Sequence, residues 1–101
     1  MILKDKGDGI TEESLEFFWD NRKKLGEITE VKMFNHRDEL YPLRLKDINR
    51  NEIWLSGCNA GFCGEGPSGT LRLLEELDLL HAAARTLVTR NASFVLKVQG
   101  G

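Results

Sequence analysis

The sequence predicts an α+β fold. It is expected to be a small two-layer sandwich of order α-β-β-β-α-β, with a mostly antiparallel sheet and its helices on one face. Three observations predict it. Residues 11–25 and 66–89 carry apolar side chains at helical spacing. Residues 27–55 instead alternate in short stretches, and the turns between them are too short for parallel crossovers. A chain of 101 residues, 41% hydrophobic and 30% charged, can bury one core, so residues 1–101 read as a single domain.

The first helix begins at Thr11, taken as N-cap, with Glu12 and Glu13 in the turn where the helix dipole favours negative charge. Ile10 and Leu15 fit a hydrophobic staple. Leu15, Phe18 and Trp19 share the inward face, and Gly26 suits a left-handed helix end. The cationic run Arg22-Lys23-Lys24 complements the dipole there. Glu27 to Phe34 alternates through Ile28, Val31 and Met33, with one slip of phase. Residues 35–38 form a turn. Leu40 to Leu45 is the next strand, and Pro42 inside it predicts an edge position or a bulge. After a turn over 46–51, Glu52 to Leu55 is the third strand.

From Gly66 to Thr89 the residues Leu73, Leu77, Leu80, Ala84 and Leu87 form a buried stripe, widened by Leu71, Leu74 and Val88. Pro67 fits the first helical turn. A break near Asp78 would divide this helix in two. Ser93 to Val98 alternates as the last strand. Its long helical connection allows a parallel placement beside Glu52 to Leu55 through a right-handed crossover. The remaining Gly100-Gly101 reads as a flexible or truncated end. Trp19, Trp54, Phe17, Phe18, Phe34 and Phe94 are core candidates.

Five of the ten glycines, both cysteines and one of two prolines fall between Gly57 and Gly69. This segment joins a strand to a helix, where the first backbone N–H groups of the helix have no partner in the chain. Glycine lets the backbone turn and lets a ligand approach it closely. Together these features predict an anion cradle for a phosphate-containing small molecule, such as a nucleotide. The expected ligand-binding residues are Gly57, Asn59, Gly61, Phe62, Gly64, Gly66, Ser68, Gly69 and Thr70. Phe62, alone among glycines, is placed either to stack on a ligand ring or to plug the loop onto the core. No Walker lysine follows Gly69, and the glycine spacing is not that of a dinucleotide fingerprint. The chain is accordingly expected to be a non-catalytic sensor or sequestering protein, with no catalytic residue, cofactor or metal.

Two rival functions share the segment. Cys58 follows a strand between small neighbours, as a nucleophile would, with His36 or His81 as base and Asp38 or Asp78 as orienter in a hydrolase or transferase. Alternatively the segment is a connector in a protein–protein adaptor. A metal site from Cys58, Cys63, His36 and His81 is disfavoured by histidines 45 residues apart.

The net charge of −2 argues against general nucleic-acid binding, which draws on a basic surplus. No apolar run is long enough to span a membrane, and the first ten residues have no signal-peptide core. A cytoplasmic protein is expected, with cysteines present as thiols. A homo-oligomer is expected too, because a pocket between subunits encloses more ligand surface than one small domain does.

Overall fold

The computed structural model describes residues 1–34, 39–59, 65–79, 82–90 and 93–97. In chain order the elements are β1 (Ile2–Lys4), α1 (Thr11–Asn21) with a 3-10 turn at Arg22–Lys24, β2 (Ile28–Phe34), β3 (Leu43–Asp47), β4 (Glu52–Leu55), α2 (Glu65–Glu76), α3 (Ala82–Arg90) and β5 (Ser93–Lys97). Five strands form one mixed sheet in the order β1-β4-β3-β2-β5, and the fold is α+β. The expected meander is its middle. β2 and β3 pair antiparallel, as do β3 and β4, and the register shift between Ile28 and Glu30 falls where the sequence pattern slips.

β1 is not foreseen from the sequence. Only Leu3 among its three residues is partly buried, so it carries no alternation to read. It pairs parallel with β4 and takes the edge expected for the last strand. The last strand, β5, lies at the opposite edge, antiparallel to β2. The helical stretch that precedes β5 is broken at Asp78. Asp78 has φ of 59°, the left-handed region. Its N–H bonds the Glu75 carbonyl at 3.0 Å, and the Leu79 N–H bonds the Leu74 carbonyl at 2.8 Å. Those two bonds are a Schellman ending for α2. The chain then starts α3 and returns to the sheet on the side away from β1.

Three other local expectations change. Thr11 is the first helical residue, not the cap; that place is taken by Ile10, which is 48% exposed, so no staple holds it. Thr11 Oγ1 instead donates to the Gly57 carbonyl at 2.7 Å. Gly26 is not left-handed, since helix α1 runs into the 3-10 turn and ends at extended Leu25. Pro42 precedes β3, which is an interior strand. Its missing donor falls at the last position of the ladder, opposite Phe34, and its carbonyl accepts the Phe34 N–H at 2.8 Å.

The core lies between the sheet and the helices. Val31, Met33, Leu43, Leu45, Ile53 and Leu55 point inward from the strands and meet Leu15 and Phe18 of α1, Leu73 and Leu74 of α2, and Val88 of α3. Leu77 and Leu87 are only partly buried, and the Leu80 and Ala84 side chains lie outside what the structure describes. All three helices therefore cover one face.

Among the described residues no helix lies over the other sheet face. Register across the strands sets its side chains in two rows: Ile2, Glu52, Lys46, Glu30, Lys97, and beside it Lys4, Trp54, Arg44, Lys32, Val95. Trp54 and Phe34, expected in the core, belong to this outer face, where Arg44 Cζ sits 3.9 Å from the Trp54 ring centre and 4.8 Å from that of Phe34. Trp19 is 39% exposed and stacks on buried Phe18 at 4.9 Å.

Candidate functional site

The junction between β4 and α2 is built on a buried polar network. Asp5 follows β1 and is 9% exposed. Its Oδ1 accepts the Gly7 N–H at 2.9 Å. Its Oδ2 accepts the Ser56 N–H at 2.9 Å and the Ser14 hydroxyl at 2.5 Å. Ser14 Oγ in turn accepts the Gly57 N–H at 2.8 Å, and Ser56 Oγ accepts the Gly9 N–H at 3.1 Å. With the Thr11–Gly57 bond, these contacts tie the β1–α1 loop, the first turns of α1 and the end of β4 into one joint. Ser14 and Asp5 satisfy the backbone groups that leave the sheet ladder at Ser56 and Gly57. Sequence reading missed this joint, because its members lie about fifty residues apart and no local pattern links them.

Of the nine expected ligand-binding residues, the structure brings six to this junction. Gly57, Asn59, Gly66, Ser68, Gly69 and Thr70 are described, whereas Gly61, Phe62 and Gly64 lie outside the described residues. The environment of the described glycines is crowded. A Cβ at Gly57 would stand 2.5 Å from the Ile10 carbonyl oxygen, one at Gly69 would stand 2.3 Å from Thr11 Cγ2, and one at Gly66 would fall inside the contact radius of the Asn59 side chain. Each glycine thus permits close approach of two chain segments. Asn59 N–H reaches the Gly66 carbonyl at 3.3 Å, and its Oδ1 is buried without a partner. The Thr70 hydroxyl donates to the carbonyl of Asn59 at 2.7 Å and lies 3.2 Å from that of Gly66, which keeps it inside the joint. Ser68 is exposed in the first turn of α2.

Cys58 is fully buried, and Gly69 backs onto its sulfur. Burial pushes its thiol up to about 12, with the Asp5 and Glu12 carboxylates adding to the rise. A thiol in that state supplies almost no thiolate at neutral pH. Asp78, a candidate orienter, instead sits at the end of α2, and His36, Asp38, Cys63 and His81 lie outside the described residues. Among the described residues no group of three or more His, Cys, Asp or Glu side chains is arranged to hold a metal ion.

Beside the joint, the β1–α1 loop and α1 enclose a cleft of about 280 Å³ that includes Ser14, Ser56 and Phe17. Asp5, Asp8, Glu13, Glu16 and Asp20 line it against a single Lys6. Five carboxylates make this space unfavourable for a phosphate.

Comparison with protein-family models, with curated proteins and with solved structures finds no match to this chain. Among the described residues no helix is long and apolar enough to cross a membrane.

Proposed function

We propose that the chain is a non-catalytic binding module, an adaptor that engages another protein through its surface, with residues 57–59 and 65–70 acting as the joint between α1 and α2. One observation carries this reading. Gly57, Gly66 and Gly69 each face another segment of the chain at a distance where a Cβ would collide. Contact with α1 and the residue before it thereby supports a packing role for Gly57 and Gly69 without a ligand. The buried, protonated Cys58 weighs in the same direction and against a Cys-dependent hydrolase.

The phosphate-binding reading draws on a different feature, the exposed Ser68 in the first turn of α2. A melting-temperature screen against nucleoside mono-, di- and triphosphates separates the two. An adaptor melts at the same temperature with and without them. A nucleotide at a hundred times its dissociation constant would stabilise the fold by about 2.7 kcal/mol. A clear upward shift, reduced in Ser68→Ala, replaces the adaptor reading with the phosphate one. Cytoplasmic residence and self-association belong to the same proposal, and light scattering on eluted protein measures the second.

A further inference from the structure

We propose that the uncovered face of the sheet docks an extended acidic segment of a partner protein. The proposal rests on the chain being a binding module, and it names the surface and the partner chemistry.

The two rows on this face differ in charge pattern. Glu52, Lys46, Glu30 and Lys97 alternate in sign, so that row neutralises itself. The adjacent row holds Lys4, Arg44 and Lys32 and no carboxylate. Glu39 reaches Arg44 from outside the strands at 2.8 Å, and Glu30 reaches Lys32 at 3.5 Å. With both counted, the face carries five cations (Lys4, Lys32, Arg44, Lys46, Lys97) against three carboxylates (Glu30, Glu39, Glu52), a balance of +2. The chain as a whole is −2, so everything away from this face sums to −4. A partner matched by charge to this face is acidic.

Aromatic support fixes where the cations stand. Lys4 Nζ lies 4.7 Å from the Trp54 ring centre, and Arg44 Cζ lies 3.9 Å from it. Arg44 also donates from Nε to the Tyr41 carbonyl at 3.2 Å. Side chains already held this way lose little rotamer freedom on binding. The same contacts select between polyanions. Single-stranded nucleic acid gains much of its affinity by stacking bases on bare aromatic faces. Here cations engage the Trp54 and Phe34 rings, so the face offers charge rather than a stacking platform. An acidic peptide needs only the charge.

The cationic row crosses four strand spacings, about 19 Å, which is the reach of about six extended residues. Val95, 51% exposed, ends it at one edge, and Ile2, 50% exposed, lies at the other. An acidic stretch flanked by apolar residues fits that layout.

The test is fluorescence anisotropy at low salt with a labelled octaglutamate peptide, and with an oligothymidine of matching length as the second probe. Octaglutamate should bind, and binding should fall as salt rises. Lys4→Glu/Lys32→Glu should weaken it by about tenfold or more. Lys23→Glu/Lys24→Glu, an equal charge change on the 3-10 turn, should leave it within about twofold. Lys4→Gln/Lys32→Gln should fall between wild type and the reversal, which covers the case that the reversal fails to fold. Circular dichroism checks each fold. Equal loss in both charge-reversed pairs, no octaglutamate binding, or tighter oligothymidine binding lost in Lys4→Glu/Lys32→Glu would each overturn the proposal. A nucleotide-induced melting shift would instead remove the adaptor reading itself, so the two failures are separable.

Discussion

Gly69 shows how a residue that suggests a ligand can be explained by a neighbour. Its missing side chain makes room for the Thr11 methyl, 2.3 Å from where a Cβ would stand, while the next atoms in line are at ordinary contact distances. Gly69→Ala should therefore destabilise the protein by about 1–3 kcal/mol in urea titration. Thr11→Ser removes that methyl and keeps the hydroxyl bound to Gly57, so the double variant should recover much of the loss. Nothing in the sequence announces a contact across 58 positions. Cys58 makes a second residue-scale prediction. In a Cys63→Ser background, iodoacetamide at neutral pH should leave Cys58 unmodified in the native state and label it in urea, as read by mass spectrometry. Asp47 makes a third. Burial raises its pKa, but the N–H groups of Gly26, Asn51 and Asn49 and the Asn51 side chain outweigh that and hold it below the ordinary 3.8. A depressed carboxylate stabilises the fold fully above its unfolded pKa, and that contribution is lost as pH falls through the lower folded value. Asp47→Asn should cost about 1–3 kcal/mol at neutral pH and flatten the decline of wild-type stability below about pH 4, measured by denaturation across pH.

At the scale of elements, the end of α2 is where the helical stretch is interrupted. Asp78 holds a left-handed conformation that glycine adopts at no steric cost, and its charge opposes the helix dipole at that end. Asp78→Gly should stabilise the protein by about 0.5–1 kcal/mol, and Asp78→Val should destabilise it, both readable as shifts in denaturation midpoint. The sequence pointed to helix over residues 66–89 with a break near Asp78 as one option, and α2 does end just before that residue. It did not show that β5 takes the edge beside β2, because alternation identifies a strand without its neighbours. The middle strands were legible for the opposite reason. Leu43 and Leu45, Ile53 and Leu55, and Val31 and Met33 alternate cleanly, and short turns leave antiparallel pairing as the only option. Pro42 misled only in position, since it lies one residue before β3.

For the whole molecule, the layers follow from which side of each strand is apolar. Leu73 is 1% exposed where α2 meets the sheet. Leu73→Ala should cost about 2–5 kcal/mol, a large share of the roughly 5–15 kcal/mol that holds a domain together. A calorimetric melt would check it. The candidate site was less legible than the core. Sequence placed a functional reading on the glycines and the free N–H groups of a strand-to-helix junction, whereas Asp5, Ser14 and Ser56, the side chains that organise the junction, look like ordinary surface polar residues until the fold joins them. Strand order has one more result, in the time domain. The three strands that are consecutive in sequence occupy the middle of the sheet, and its two borders are added from distant parts of the chain. Closing a short hairpin costs less entropy than recruiting a remote strand. The centre should thus assemble before its borders and open after them. Amide exchange should report this directly: Lys32 and Leu45, whose N–H groups lie in the central ladders, should exchange only with global unfolding, while the amides of Leu3 and Leu96 should exchange through smaller, cheaper openings.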